Sequence, residues 1–370
     1  MRITPQLTLI PFLLVPLTGC VKLKPGNATT TPSPLPAPQP PKLDLTKVQP
    51  DELGKIPVIM YHDIGRTGKN TPLDRSVASF EKDLQLLYDK GFYLVNATDI
   101  VNNKLDVPLG KSPVALTFDD ARRTQMNLIQ TDKGLQVDPK CALGVLETFI
   151  KAHPDWKLKA TFFVLPKSKA TNESFGQTGM GKEKIAYLIK NGCEVANHSV
   201  LHKSFASFTA AQVQAEVGEA DKLITDLNPE AKLETLALPM GKYPKNKALW
   251  PLLLKGTYNG HDYSYKAAFD AAWRPISSPS AKKYNPMRLE RVNSVDGLNG
   301  IRYWVEKLAA PGGGRYISDG DLGWVSFPKS REAELARERV VAQGLQVNAY
   351  TAAAVGIQSA AGAPLVPASK

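Results

Sequence analysis

The sequence predicts an α/β protein built on a parallel sheet, either open or closed into a barrel. Short apolar runs rich in β-branched and aromatic residues recur from Ile56 onward, and segments with helical spacing of apolar residues separate them. Strands that alternate with helices over many units are typical of a parallel sheet covered by helices. With 370 residues, 43% of them hydrophobic, the chain can bury one large core or two smaller ones.

Seven strands and five helices are predicted from this alternation. The strands are the apolar runs 57–62, 92–97, 114–119, 160–165, 193–198, 235–240 and 265–271. The helices are 76–90, 141–152, 181–190, 209–227 and 245–255. Phe80, Leu84 and Leu87 share one face of the first helix, as a helix packed on a sheet requires.

The first twenty residues, MRITPQLTLIPFLLVPLTGC, place a basic residue and a short apolar run before small residues and Cys20. A run of this length, broken by two prolines, is typical of a signal peptide rather than a membrane-spanning helix. The final LTGC resembles the lipobox of bacterial lipoproteins, whose cysteine carries the lipid. We therefore expect a lipoprotein-type signal at 1–20, lipid attached to Cys20, and an exported protein anchored at the bacterial cell envelope. An ordinary cleaved signal and an uncleaved anchor are the alternatives.

Composition divides the remainder of the chain into four segments. Residues 21–52 are rich in proline and predict a semi-rigid tether. The main domain is expected at 53–310, a small appendage at 311–350, and a disordered tail of small residues at 351–370.

The chain is basic, with a formal net charge of +11, and removal of residues 1–19, which contain the single charged residue Arg2, leaves +10. Such a charge suits anionic polymers or anionic lipid surfaces, and we find no nucleic-acid-binding motif. Cys141 and Cys193 are too few for a disulfide framework, and we expect buried free thiols.

Polar side chains collect at the carboxyl ends of the predicted strands, where such folds place their sites. His62 ends the first strand, Asp119 and Asp120 end the third, and His198 ends the fifth, with His202 four residues later. Two histidines at this spacing can bind one divalent ion together with an aspartate, which leaves a position open for water. The second aspartate is then free to accept a proton. Each motif alone is more often structural, but together they predict a catalytic metal site.

The blocks IPVIMYHDI, VALTFDDA, ATFFVL, NGCEVANHSVLH and LALPMGKYP follow in this order between residues 55 and 292. They resemble the polysaccharide deacetylases of carbohydrate esterase family 4. The resemblance implies a distorted parallel (β/α)7 barrel, a catalytic base at Asp119, and a divalent metal held by Asp120, His198 and His202. That metal is usually zinc and sometimes cobalt or nickel.

The sequence departs from the family in two motifs. The motif Arg-Pro-Pro-Tyr-Gly, whose arginine orients the base and whose backbone binds the oxyanion, reads Ala237-Leu238-Pro239-Met240-Gly241. The N–H of Met240 remains the candidate oxyanion donor, but the arginine is lost. No histidine follows His261, so the late Leu-x-His motif that supplies the acid has no counterpart, and His62 and His261 become the candidate acids.

Trp273 and Trp324 are candidates to line a sugar-binding groove, with a core position as the alternative for each. The resemblance implies a metal-dependent hydrolase that removes N-acetyl groups from an N-acetylglucosamine-containing extracellular or cell-wall polysaccharide. A catalytically weak or inactive glycan-binding member is one alternative. The other is an O-acetyl esterase on a polysaccharide such as xylan, since esters depend less on a general acid.

Overall fold

The computed structural model describes residues 39–167 and 173–351. The expected signal peptide, Cys20, the first part of the tether and residues 352–370 lie outside these ranges. Within them, no helix combines the length and the apolar character that crossing a membrane requires.

Eight parallel strands form the central sheet. In chain order they are β1 (Val58–Tyr61), β2 (Phe92–Val95), β3 (Ser112–Asp119), β4 (Thr161–Val164), β5 (Glu194–Asn197), β6 (Thr235–Ala237), β7 (Ala267–Phe269) and β8 (Val292–Asn293). The hydrogen-bonded order is β7-β6-β5-β4-β3-β1-β8, and β2 pairs with the first half of β3. The sheet curls into a half-barrel, which confirms the predicted fold class.

Strand β3 is the centre of this sheet and is buried along its whole length. It pairs with β1 on one edge, and with β2 and then β4 on the other. The ring of Phe118 stacks between those of Tyr61 and Phe162, at centroid distances of 5.5 and 5.0 Å. The strand that ends in Asp119 is thereby held in register from both sides.

The described residues form eight α-helices: α1 (Val77–Asp89), α2 (Ala97–Val101), α3 (Ala142–Ala152), α4 (Gly181–Lys190), α5 (Ala210–Leu227), α6 (Pro251–Leu254), α7 (Ile301–Ala309) and α8 (Arg337–Ala342). Short 3-10 turns occupy Ser174–Gly176, Phe205–Ser207, Pro239–Gly241, Lys247–Leu249 and Lys329–Glu334. The prediction of a single helix at 245–255 is wrong. It is a 3-10 turn followed by α6, because Pro251 has no N–H to continue a helix and is stable only at a helix start.

The described residues also form five short strand pairs outside the central sheet. They are Lys55–Ile56 with Ile276–Ser277, Asp63–Ile64 with Asp74–Arg75, Leu128–Thr131 with Gly134–Val137, Lys255–Tyr258 with His261–Ser264, and Trp324–Pro328 with Gln346–Tyr350. The last pair is parallel and lies in the segment expected to be an appendage. It packs over a small second core formed by Leu53, Val325, Phe327, Leu335 and Val340.

The buried side chain of Glu52 joins the start of the domain to this C-terminal pair. Its carboxylate accepts hydrogen bonds from the Tyr316 hydroxyl (2.8 Å) and the Ser326 N–H (2.9 Å). The Tyr350 hydroxyl donates to the carbonyl of Pro50 at 2.7 Å. The last residues of the expected tether therefore pack against the end of the described chain.

Candidate active site

The carboxyl ends of β1, β3, β5 and β6 surround one cleft of about 310 Å³. Seven of the residues singled out in the sequence line it, namely His62, Asp119, Asp120, His198, His202, Met240 and Trp273. They come from segments far apart in the chain. The parallel sheet brings them together because all its strands end on the same side.

The loops that follow these strands contain several non-glycine residues with positive φ. Among the described residues there are ten, and six of them lie in segments that form the cleft: Asp120, Ala121, Ser199, His202, Met240 and Trp273. Positive φ values are energetically unfavourable for residues other than glycine. Such residues therefore occur where the surrounding packing fixes the backbone, commonly at functional sites.

Asp119 is buried at the end of β3 and forms a two-point ion pair with Arg291. The guanidinium nitrogens lie 2.6 and 2.8 Å from the two carboxylate oxygens. Burial alone would raise the pKa of Asp119, but the Arg291 charge and nearby His198 outweigh it and hold the pKa below its ordinary value. Asp119 is therefore an ionised carboxylate in a fixed orientation.

Arg291 was not predicted from the sequence. It is buried beside β8, and its Nε donates to the carbonyl of Asp270 at 2.9 Å. It fulfils for Asp119 the orienting role that Ala237 cannot provide. One signal was available: Leu289-Glu290-Arg291 has the spacing of the family's Leu-x-His motif with arginine in the place of histidine.

Asp120, His198 and His202 form a compact group whose ligand atoms all lie within 4.8 Å of one another. The Asp120 Oδ1 is 3.4 Å from His198 Nε2 and 3.3 Å from His202 Nε2. His198 Nδ1 donates to the carbonyl of Ala237 at 2.8 Å, so Nε2 is the ring nitrogen that faces the group and can bind a metal once it is deprotonated.

These three residues fit a divalent metal. Asp120 Oδ1 and His198 Nε2 are buried and have no hydrogen-bond partner in the described chain, while Arg122 binds the other oxygen of Asp120 at 2.9 Å. Burial opposes ionisation of Asp120, but hydrogen bonding and charge from protonated His198 hold its pKa well below the ordinary value. Burial lowers the pKa of His198, but Asp119 and Asp120 outweigh it and raise that pKa, so a bound metal would replace the His198 proton. Burial also lowers the pKa of His202, which favours the neutral imidazole that a metal requires. Two imidazoles and one carboxylate are a donor set typical of catalytic zinc and related ions.

His62 lies in the same cleft, and burial lowers its pKa. Its Nδ1 is buried without a partner, and its carbonyl accepts from Gln125 Nε2 at 2.9 Å. The same Gln125 amide contacts the carbonyl of Asp119 and so ties the ends of β1 and β3 together. The described chain has eleven buried side-chain atoms without partners, and those of His62, Asp120, His198 and Asn293 line this cleft. The cleft therefore offers several polar atoms that a bound ligand or ion could contact.

Two candidates do not reach the cleft. His261 lies on the hairpin Lys255–Ser264 beside α5, where its Nε2 pairs with Asp221 at 2.7 Å, so the expectation that it reaches the reacting groups is wrong. Trp324 begins a strand of the C-terminal pair and is not among the residues that line the cleft. The two remaining candidates for acid and sugar contact are therefore His62 and Trp273.

Residues 106–252 match the family model described as polysaccharide deacetylase. The matched segment is less than half of the chain and contains Asp119, Asp120, His198, His202 and Met240. His62, Trp273 and Arg291 lie outside it.

Solved structures of other proteins also resemble this chain. The deacetylase PplD of Streptococcus pyogenes, solved in complex with acetate, is 18% identical, with a TM-score of 0.50 over 70% of this chain and 99% of that one. A polysaccharide deacetylase from Bacillus cereus is 18% identical, with a TM-score of 0.49 over 68% of each chain. IcaB from Ammonifex degensii is 16% identical, with a TM-score of 0.47 over 70% of this chain and 98% of that one. The first of these likenesses supports the shared fold.

Proposed function

We propose, from the polysaccharide deacetylase match of residues 106–252, that this chain is a metal-dependent hydrolase acting on acetylated polysaccharide. We propose N-acetyl groups of an N-acetylglucosamine-containing extracellular or cell-wall polysaccharide as its target. One observation carries the proposal: an ionised carboxylate held by an arginine lies beside an Asp/His/His group in which Asp120 Oδ1 and His198 Nε2 have no hydrogen-bond partner among the described residues.

Different residues of the cleft are proposed to carry out different parts of the hydrolysis. A divalent metal, for which we propose zinc, would supply a Lewis acid that polarises the acetyl carbonyl. Asp119 accepts the proton of the attacking water, and its Oδ2 lies 3.8 Å from His198 Nε2, close to the proposed metal position. The Met240 N–H is the proposed donor to the developing oxyanion. His62 is the group in the cleft available to carry a proton to the leaving amine, and the Trp273 ring offers a face for the sugar.

We also propose that the protein is exported and anchored to the membrane by lipid on Cys20. Support comes from the LTGC motif and from the Pro-rich segment that follows it. Cells expressing the full chain and fed a labelled fatty acid should incorporate label into the protein, whereas Cys20→Ser should not. Equal labelling of both forms would rule out this attachment site.

The activity is tested with the full chain loaded with zinc, cobalt or nickel. Acetate release from N-acetylglucosamine oligomers is the measurement, and Asp119→Asn should reduce kcat about a thousandfold because the base is lost. Asp132→Asn is the matched control, since Asp132 is exposed in a hairpin turn and should leave kcat unchanged. Full activity of Asp119→Asn, or absence of both bound metal and acetate release from every acetylated glycan, would refute the proposal. Retained glycan binding without turnover in the wild type would favour the glycan-binding alternative.

The position of Arg291 favours the O-acetyl esterase as a second candidate. Arginine occupies the place in which the family motif has the histidine that acts as general acid. Esters have better leaving groups than amides and depend less on proton donation. If His62 is the acid, His62→Gln should lower the rate on the N-acetylated oligomer about a hundredfold and the rate on an acetylated xylan much less. A wild type that is active on the ester alone would select the esterase.

A further inference from the structure

A second cavity, of about 300 Å³, was not predicted from the sequence. Two chain segments contribute residues both to this cavity and to the cleft. Its wall contains four cationic side chains, Lys55, Arg274, Lys283 and Arg288, and a single carboxylate, Glu290. We call it the basic cavity. Its lining therefore carries an excess of three positive charges.

The protein neutralises only part of this charge. Arg274 pairs with Glu290 at 2.6 Å, and Arg288 pairs with the buried Asp270 at 2.7 Å. Lys55 and Lys283 have no ion-pair partner among the residues that the structure describes. Burial and the neighbouring charge of Lys283 lower the pKa of Lys55, so the two ammonium groups repel each other. An anion bound between them would relieve this repulsion.

A hydrogen-bond donor in the same wall is also without a partner. Tyr284 lines the basic cavity, is 7% exposed, and its buried hydroxyl forms no hydrogen bond within residues 39–167 and 173–351. Burial raises the pKa of the Tyr284 hydroxyl, so it keeps its proton and can only gain by donating it. The ammonium and guanidinium groups that line the basic cavity suit the several acceptor oxygens of a carboxylate or phosphate.

The basic cavity adjoins the candidate active site along the chain. Trp273 lines the cleft and Arg274 the basic cavity, while Glu290 lines the basic cavity and Arg291 the cleft. Neighbouring Cα atoms are only about 3.8 Å apart. A hydrogen bond from the Asp270 N–H to the Leu289 carbonyl (2.7 Å) holds the two segments side by side. The cleft opens at the end of β1, and Lys55 lies before the start of that strand, about 20 Å away along the extended chain. A polymer bound in the cleft would therefore extend for several sugars, past Trp273 and Arg274, to reach the basic cavity.

We propose that the basic cavity binds an anionic group, a carboxylate or a phosphate, carried by the polysaccharide whose acetylated sugar occupies the cleft. This inference rests on the proposed function and makes its substrate an anionic glycan. Lys55 and Lys283 supply the charge, and they determine which polymer is held rather than how fast the acetyl group is removed.

The test compares the full chain with the double variant Lys55→Gln/Lys283→Gln, both loaded with zinc. Substrates are N-acetylglucosamine oligomers that are neutral, that carry a carboxylate on alternate sugars, or that carry phosphate esters. For the preferred anionic oligomer, KM should rise about fivefold in the variant with kcat unchanged, as expected for loss of partly exposed ion pairs. KM for the neutral oligomer should stay the same. The two anionic arms identify which group is recognised.

Lys282→Gln is the matched control, because Lys282 is an exposed neighbour that does not line the basic cavity. An equal rise in KM for Lys282→Gln would show general surface attraction and overturn the inference, as would equal KM values for neutral and anionic oligomers in the wild type. Calorimetric binding of the anionic oligomers to the zinc-loaded Asp119→Asn form, with and without the lysine changes, gives a readout that needs no turnover. If no oligomer releases acetate but binding still depends on Lys55 and Lys283, the deacetylase proposal fails and the anion site stands.

Discussion

At the scale of single residues, the contact between Asp119 and Arg291 decides the state of the proposed base. Both side chains are almost completely buried, and the residues are 172 positions apart in the chain. A buried ion pair adds little net stability, because desolvation offsets attraction, but removal of one partner leaves an unpaired charge. We therefore attribute to Arg291 the control of the ionisation and direction of Asp119.

We predict that Arg291→Ala will shift the acid limb of the kcat/KM profile to higher pH. The wild-type carboxylate has a lowered pKa, so its stabilising contribution is present above the ordinary value and is lost as pH falls through the lowered one. Without the guanidinium, burial dominates and raises the pKa of Asp119. The free energy of unfolding at neutral pH should fall by about 3 kcal/mol.

The measurement is the pH dependence of acetate release together with urea unfolding. Arg302→Ala is the control, since Arg302 is exposed and pairs only with Glu306 on its own helix at 2.9 Å. An acid limb that stays in place in Arg291→Ala would remove Arg291 from the proposed mechanism.

At the scale of elements, the turn after β6 fixes one wall of the cleft. Gly241 ends the 3-10 turn Pro239–Gly241 with φ of +61°, and a Cβ atom there would lie 2.9 Å from the Ala271 N. Glycine is therefore needed for its conformation and for the close approach of two loops that both line the cleft. Met240, which precedes it, receives its position from this packing.

We predict that Gly241→Ala will lower the free energy of unfolding by about 2 kcal/mol and reduce acetate release. Gly134→Ala is the matched control, because Gly134 also has positive φ (+90°) but open space where its Cβ would lie. The control should show only the cost of the backbone conformation, and the difference between the two variants measures the loop contact. Equal losses in both would contradict the role given to that contact.

The sequence predicted seven of the eight sheet strands, because each is a run of apolar residues long enough to show against its surroundings. Strand β8 was missed because Val292–Asn293 has only two residues and no periodicity. Arg291 was missed because its partner Asp119 lies in a distant segment, and the local signal Leu289-Glu290-Arg291 indicates a site residue only if arginine is accepted in place of the motif's histidine. Asp119, Asp120, His198 and His202 could be identified because their residue types and strand-end positions restrict their chemistry.

At the scale of the whole molecule, two buried carboxyl groups join the beginning of the domain to its C-terminal segment. Burial and the neighbouring charge of Asp319 raise the pKa of Glu52, and burial also raises the pKa of Asp319. The folded protein therefore retains protons that the unfolded chain releases. As pH rises through the raised values, stability falls, because the unfolded state then binds fewer protons than the native state.

The free energy of unfolding should fall between pH 5 and pH 8 in the wild type. We predict that Asp319→Asn will make this fall smaller by about 1 kcal/mol. The amide can accept from the Asp321 N–H and donate to the Ser326 hydroxyl, which now donates to Asp319 at 2.6 Å. Urea unfolding of metal-free protein at the two pH values is the measurement, with Asp132→Asn as control. An unchanged slope in Asp319→Asn would place the pH dependence elsewhere.

The hydrogen bond between the Tyr350 hydroxyl and the Pro50 carbonyl has a consequence for engineering. Residues 50 and 350 are neighbours in space, so a short flexible linker could join them without stretching the fold. New termini could then be opened at the exposed turn Asp132–Lys133 of the Leu128–Val137 hairpin. Such a circular permutant would keep every strand of the sheet and would begin and end in the middle of the natural chain order, between β3 and α3.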